Sequence, residues 1–184
     1  GNENIGYLEF RTFVSTAPDK LRDAFATFKA AGVRKVIVDV RYNGGGLISV
    51  ADTFASLLAG PSRIGQVQSF TTYNQANSVR NRTTPFAAEA NAIDLDTIVF
   101  ITTESSASAT ELVINALEPY VTDVALVGSD TFGKPVGQVG LEFCEQILLP
   151  TAFQTMNAND FGDYFDGLPI DCAAADDLNV TVGA

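Results

Sequence analysis

A chain of 184 residues fits one domain with a full hydrophobic core, and its 46% hydrophobic content with 13 Phe argues against disorder. Its formal charge of −11 works against nucleic acid and anionic membrane surfaces as partners. It contains no histidine, which excludes every Ser-His-Asp hydrolase and removes the commonest metal ligand.

Ile5-Gly6-Tyr7-Leu8-Glu9-Phe10 alternates and reads as a strand. From Ala17 to Ala31, Leu21, Ala24, Phe25 and Phe28 follow helical spacing, with Ser15 or Thr16 as N-cap, Pro18 in the first turn and Gly32 as stop. Val36-Ile37-Val38-Asp39-Val40 is a β-branched run of the kind buried in a parallel sheet. Gly44-Gly45-Gly46 follows it, and Val50 to Leu58 returns to helical spacing. The polar stretch Thr71 to Thr84 predicts an exposed loop or flap. Ile98 to Ile101 is a further buried strand, Ser108 to Leu117 a helix and Val124 to Val127 a strand. This alternation of strands and helices predicts a single α/β domain with right-handed crossovers. Val139 to Phe143 and Gln146 to Met156 read as extended and predict a smaller sheet or hairpin, and Asn157 to Gly167 reads as loop. No stretch approaches the length of a membrane span. The chain opens Gly1-Asn2 rather than with Met, so removal of an upstream segment is expected.

Three segments that carry chemistry each follow a predicted strand, at the carboxyl edge where open α/β sheets bind ligands. Ser108, in Ser106-Ala107-Ser108-Ala109, has small neighbours that let a substrate approach, and it opens a helix whose free N–H groups favour an oxyanion. With no imidazole available, the remaining common base for a serine is a neutral lysine, and Lys134 in Thr131-Phe132-Gly133-Lys134 is the candidate. The Ala109 N–H and a glycine of Gly44–Gly45 are candidate oxyanion donors. Taken singly, each motif has an ordinary structural reading: a helix cap, a turn lysine, a flexible turn. It is their joint placement that points to a hydrolase.

Gly128 to Lys134 also matches G-x-x-x-x-G-K, the start of a phosphate-binding loop. Pro135 stands where the Mg²⁺-binding Ser or Thr belongs, an extended run follows where a helix should begin, and Asp130 would repel phosphate. Nucleotide binding is set aside on those grounds. The cysteines Cys144 and Cys172 lack metal-type spacing and flank a loop-rich segment. A disulfide between them is expected, with two buried free thiols as the alternative, and it would imply an oxidising compartment.

At Val38 to Gly46, Ser106 to Glu111 and Val127 to Gln138 the sequence resembles the C-terminal processing, or tail-specific, peptidases. The resemblance implies a ClpP/crotonase-like core and a Ser-Lys endopeptidase acting near the C-termini of polypeptides, with no cofactor. Carried over by position, Ser108 is the nucleophile, Lys134 the general base and Gln138 a residue that helps hold the lysine. Ala109 and Gly44 or Gly45 form the oxyanion hole. The 26-residue separation of Ser108 and Lys134 is within a residue of the family pattern. Pro135 departs from it, and no PDZ-like segment lies within residues 1–184. The expected location is periplasmic or extracellular, with membrane anchoring through an upstream segment as a further option. The rival reading is a non-catalytic ligand-binding module on the same fold, as in retinoid-binding repeats, which would need neither Ser108 nor Lys134.

Overall fold

A computed structural model describes residues 4–177. Five parallel strands form the main sheet: β1 (Ile5–Glu9), β2 (Lys35–Asp39), β5 (Thr97–Thr102), β6 (Asp123–Gly128) and β11 (Cys172–Ala173), in the spatial order β1-β2-β5-β6-β11. Helices α1 (Ala17–Ala30), α2 (Ile48–Ala59) and α3 (Ala109–Leu117) connect them. A second, antiparallel sheet has the order β4-β3-β10-β7, built from β3 (Val67–Tyr73), β4 (Arg82–Pro85), β7 (Val136–Gln138) and β10 (Thr151–Met156). Strands β8 (Leu141–Phe143) and β9 (Gln146–Leu148) pair as a separate hairpin. Among the described residues no helix is long and apolar enough to cross a membrane.

The periodicities explain most of these elements. Helix α1 buries Ala17, Leu21 and Phe25 on one stripe. It ends on Gly32, whose φ of +66° lets its N–H reach Lys29 O and the Val33 N–H reach Phe28 O, capping two free carbonyls. Every residue of α3 is buried. That helix lies between layers, packing on α2 and on β3 and β10 of the second sheet. The phenylalanines cluster around α2. Phe10 and Phe13 meet edge-on with centroids 4.7 Å apart, and Phe54 lies 5.1 Å from Phe10 and 6.3 Å from Phe25.

Three expectations need correction or refinement. The stretch from Thr71 to Thr84 is not one loop: it holds the end of β3, a 3₁₀ turn at Gln75–Arg80, and most of β4. Its β-branched threonines pair well in a ladder, and the polar composition masked the strands. The choice between a smaller sheet and a hairpin in the C-terminal part resolves to both. The Cys144–Cys172 bond is not formed: both thiols are free and exposed. Cys144 lies in the β8–β9 turn, and Cys172 opens β11 in the other sheet.

Candidate active site

The carboxyl ends of β2, β5 and β6 lie side by side, so the three chemistry-bearing loops leave one edge together. The loop after β5 leads into α3 through Ser108, its N-cap, at φ 58° and ψ −112°. Glycine alone adopts such a conformation freely, and a residue forced into it costs about 1–3 kcal/mol. The turn tilts Ser108 into the cleft while its neighbour points inward. Ser106 is fully buried, donates to Val40 O at 2.8 Å and accepts from the Thr103 N–H at 3.0 Å. Of the two serines, Ser106 is a structural strut and Ser108 is the one on the cleft.

One carboxylate ties the nucleophile turn to the lysine loop. Glu111 is wholly buried in the first turn of α3. Its Oε2 accepts the backbone N–H groups of Ser108 and Lys134, both at 2.8 Å. Its Oε1 accepts the Gly133 N–H and the Thr131 hydroxyl, both at 2.6 Å. Four donors, the kind that stabilise a buried charge, converge on a group that could not otherwise be left there. The Thr131 hydroxyl in turn accepts the Leu168 N–H at 2.7 Å. Burial pushes the Tyr164 phenol far above its ordinary pKa, and the Glu111 charge pushes the same way. Glu111 lay within a motif already singled out, yet its spacing shows only a helix-start acid. Thr131 opened the motif that carries Lys134, yet nothing in the sequence marked its hydroxyl as a partner for Glu111.

The glycine loop is fixed by Asn43, also wholly buried. Its Oδ1 accepts the Gly45 N–H at 3.0 Å, its Nδ2 donates to Phe10 O at 2.7 Å, and its carbonyl accepts the Ala107 N–H at 3.0 Å and the Thr110 hydroxyl at 2.9 Å. Gly45, at φ +95°, presses on the nucleophile turn: a Cβ there would lie 2.8 Å from Ala107 O and Ala109 N. Since the Gly45 N–H is held by Asn43, Gly44 is the member of the pair that lines the cleft, with open space around it. Ala109, at the first position of α3, has an N–H without a helical acceptor and lines the same cleft.

That cleft has a volume of about 570 Å³, with Ser108 and Lys134 on its wall beside apolar Leu47, Ile48, Leu112 and Phe153. Gln138 also lines it, its Nε2 donating to Leu149 O at 3.0 Å. Among the described residues Lys134 makes no salt bridge. After Gly133-Lys134-Pro135 the chain enters β7, a strand, which removes the helix a phosphate-binding loop requires. Just before the glycine loop, burial works to raise the Asp39 carboxyl, but the Arg41 guanidinium and the Tyr7 hydroxyl outweigh it and hold it low. Arg41 also reaches Asp176 at 2.8 Å. Among the described residues no cluster of His, Cys, Asp and Glu could hold a metal ion.

With this geometry in view, the sequence model of peptidase family S41 matches residues 4–170. The chain belongs to peptidase family S41. It is 30% identical over 145 residues to a Staphylococcus aureus protein named "Probable CtpA-like serine protease", a match that covers 79% of this chain and 28% of that protein. The crystal structure of a Bacteroides fragilis protein assigned to the S41 proteases superposes with a TM-score of 0.88 at 27% identity, covering 94% of this chain and 48% of that one. The photosystem II D1 C-terminal processing protease gives a TM-score of 0.74 at 23% identity, over 93% of this chain and 42% of its own. The fold is thus the ClpP/crotonase-like α/β core of this family. The chain spans little more than a quarter of the curated relative it matches.

Proposed function

We propose that this S41 chain is the catalytic core of a serine endopeptidase that cleaves polypeptides near their C-termini through an acyl-enzyme on Ser108. The Ser108 Oγ attacks the scissile carbonyl carbon as Lys134, neutral, takes the hydroxyl proton. The N–H groups of Ala109 and Gly44 receive the charge that develops on the carbonyl oxygen. Lys134 then hands the proton to the leaving amine, and a water molecule releases the acyl group by the same steps in reverse order. Gln138, anchored through its Nε2, offers its Oε1 to steady the lysine.

The observation that carries this reading is that Ser108 and Lys134 face one cleft while a single buried carboxylate, Glu111, holds the backbone N–H of both. A ligand-binding module would need neither that serine nor that lysine on the cleft wall. Placement outside the cytoplasm, periplasmic or extracellular, is part of the proposal, and it rests on kinship with CtpA-like proteases rather than on the cysteines.

Reaction with a fluorophosphonate probe, followed by mapping of the labelled residue, tests the nucleophile: label on Ser108 is expected, and no label supports the binding-module rival. Lys134→Arg should be as inactive as Lys134→Ala, since a guanidinium keeps its proton at any working pH. An arginine variant with most of its turnover would make Lys134 a mere charge and end the dyad reading.

A further inference from the structure

Beyond Gln138 the catalytic cleft runs on into a second groove of about 270 Å³, lined by Ile48, Thr71, Tyr73, Arg80, Arg82, Gln138 and Phe153. Ile48, Gln138 and Phe153 belong to both, so the two form one continuous trough. Two arginines on one wall stand out in a chain with only 11 Lys and Arg against 22 Asp and Glu. Arg80 ends the 3₁₀ turn and Arg82 opens β4, both exposed. Among the described residues neither makes a salt bridge, although Arg82 lies close enough to the half-buried Asp52 carboxylate to join Gln68 in opposing the net rise in pKa that burial causes there.

The loop that presents them is tied in place. Asn81 Oδ1 accepts the Tyr73 N–H at 2.8 Å, and Asn74 Oδ1 accepts the Asn77 N–H at 3.1 Å. These bonds hold the turn without engaging either guanidinium. Between the arginines and Ser108 the shared wall is apolar on Ile48 and Phe153, and the Tyr73 ring packs tilted against Phe153 with centroids 5.3 Å apart. An extended peptide lying in the trough with its reacting carbonyl at Ser108 would meet the two arginines at the far end.

We infer that Arg80 and Arg82 form a carboxylate subsite that takes the terminal carboxylate of a polypeptide whose scissile bond lies at Ser108. The inference rests on the peptidase reading and deepens it, because a guanidinium pair at the end of the trough fixes how far from the C-terminus the chain is cut. Guanidinium suits the role, since its planar fork matches both carboxylate oxygens. The same chemistry is available on an Asp or Glu side chain, and the test has to separate the two sources.

The test measures binding to the 184-residue Ser108→Ala chain, so it does not depend on turnover. Three fluorescent peptides share one apolar sequence and end as a free acid, as an amide, or as an amide after a terminal Glu. The free acid should bind about tenfold more tightly than the plain amide, the size of one charge-assisted contact. In Arg80→Gln/Arg82→Gln that ratio should fall to about one while the amide binds as before. Equal binding of acid and amide by the parent, or an unchanged ratio in the double variant, overturns the subsite, as does failure of all three peptides to bind. Tightest binding of the Glu-terminated amide would assign the arginines to acidic side chains and overturn the terminal-carboxylate reading. Peptidase failure is read separately, from the fluorophosphonate label.

Discussion

At the scale of single residues, the two serines of one short motif make a clean contrast. Ser106→Ala removes a buried hydroxyl that serves both Val40 O and the Thr103 N–H, leaving the Thr103 N–H without its acceptor while Val40 O keeps only the Asn43 N–H. It should cost about 1–3 kcal/mol of stability yet leave Ser108 reactive, as thermal melts and probe labelling will read. Ser108→Ala should do the opposite, keeping the fold at the cost of about 1 kcal/mol for a lost helix cap while ending all turnover. The heaviest residue outside the dyad is Glu111. In Glu111→Gln one carboxylate oxygen becomes an NH₂ facing either the Ser108 and Lys134 amides or the Thr131 hydroxyl and Gly133 amide, and a donor cannot accept from a donor. A loss of about 2–4 kcal/mol is expected, with slower labelling of Ser108 even below the melting transition. A variant as stable and as reactive as the parent would show that the four bonds have slack.

At the scale of elements, the parallel sheet and its helices were legible because burial there follows simple periods. β5 alternates buried and half-buried residues along its length, and α1 buries a single stripe. The catalytic loops were legible for a related reason: a strand followed by glycine, by small residues, or by Gly-Lys marks an edge even when the pairing is unknown. What could not be read was the β3–β4 side of the second sheet, since both strands are polar and β3 takes its place in the sheet from β10, a partner distant in sequence. The role of Asn43 was hidden likewise, for its bonds run to Phe10, Ala107 and Thr110, set only by the fold. The glycine loop shows what such contacts demand. Gly45→Ala would drive a methyl group to within 2.9 Å of Ser108 Cβ and of the neighbouring backbone, at a φ that side chains resist. It should suppress probe labelling of Ser108 more than tenfold, a loss of about 1.4 kcal/mol or more at the barrier. Gly32→Ala, strained but far from the site and with nothing within 4 Å of the new methyl, should destabilise the protein and spare the reactivity.

At the scale of the whole molecule, the charge of −11 sets a field that disfavours acidic polypeptides, with the Arg80–Arg82 wall as a local exception. Cleavage of an acidic unfolded protein should therefore quicken as salt rises from about 0.01 to 0.15 M, where the screening length shrinks from roughly 30 to 8 Å. A basic substrate should slow over the same range. Identical salt profiles for the two would show that the field plays no part in encounter. The placing of Glu111 has a mechanical corollary. Lys134 stands one residue before Pro135 at the start of the second sheet, so the clamp that seats the lysine also pins that sheet at its β7 end to α3. The same helix also packs on β3 and β10, so α3 works as a rivet between the two layers. A shift of the second sheet as a body would then carry α3 with it, and the serine at the head of that helix would travel with the lysine rather than away from it.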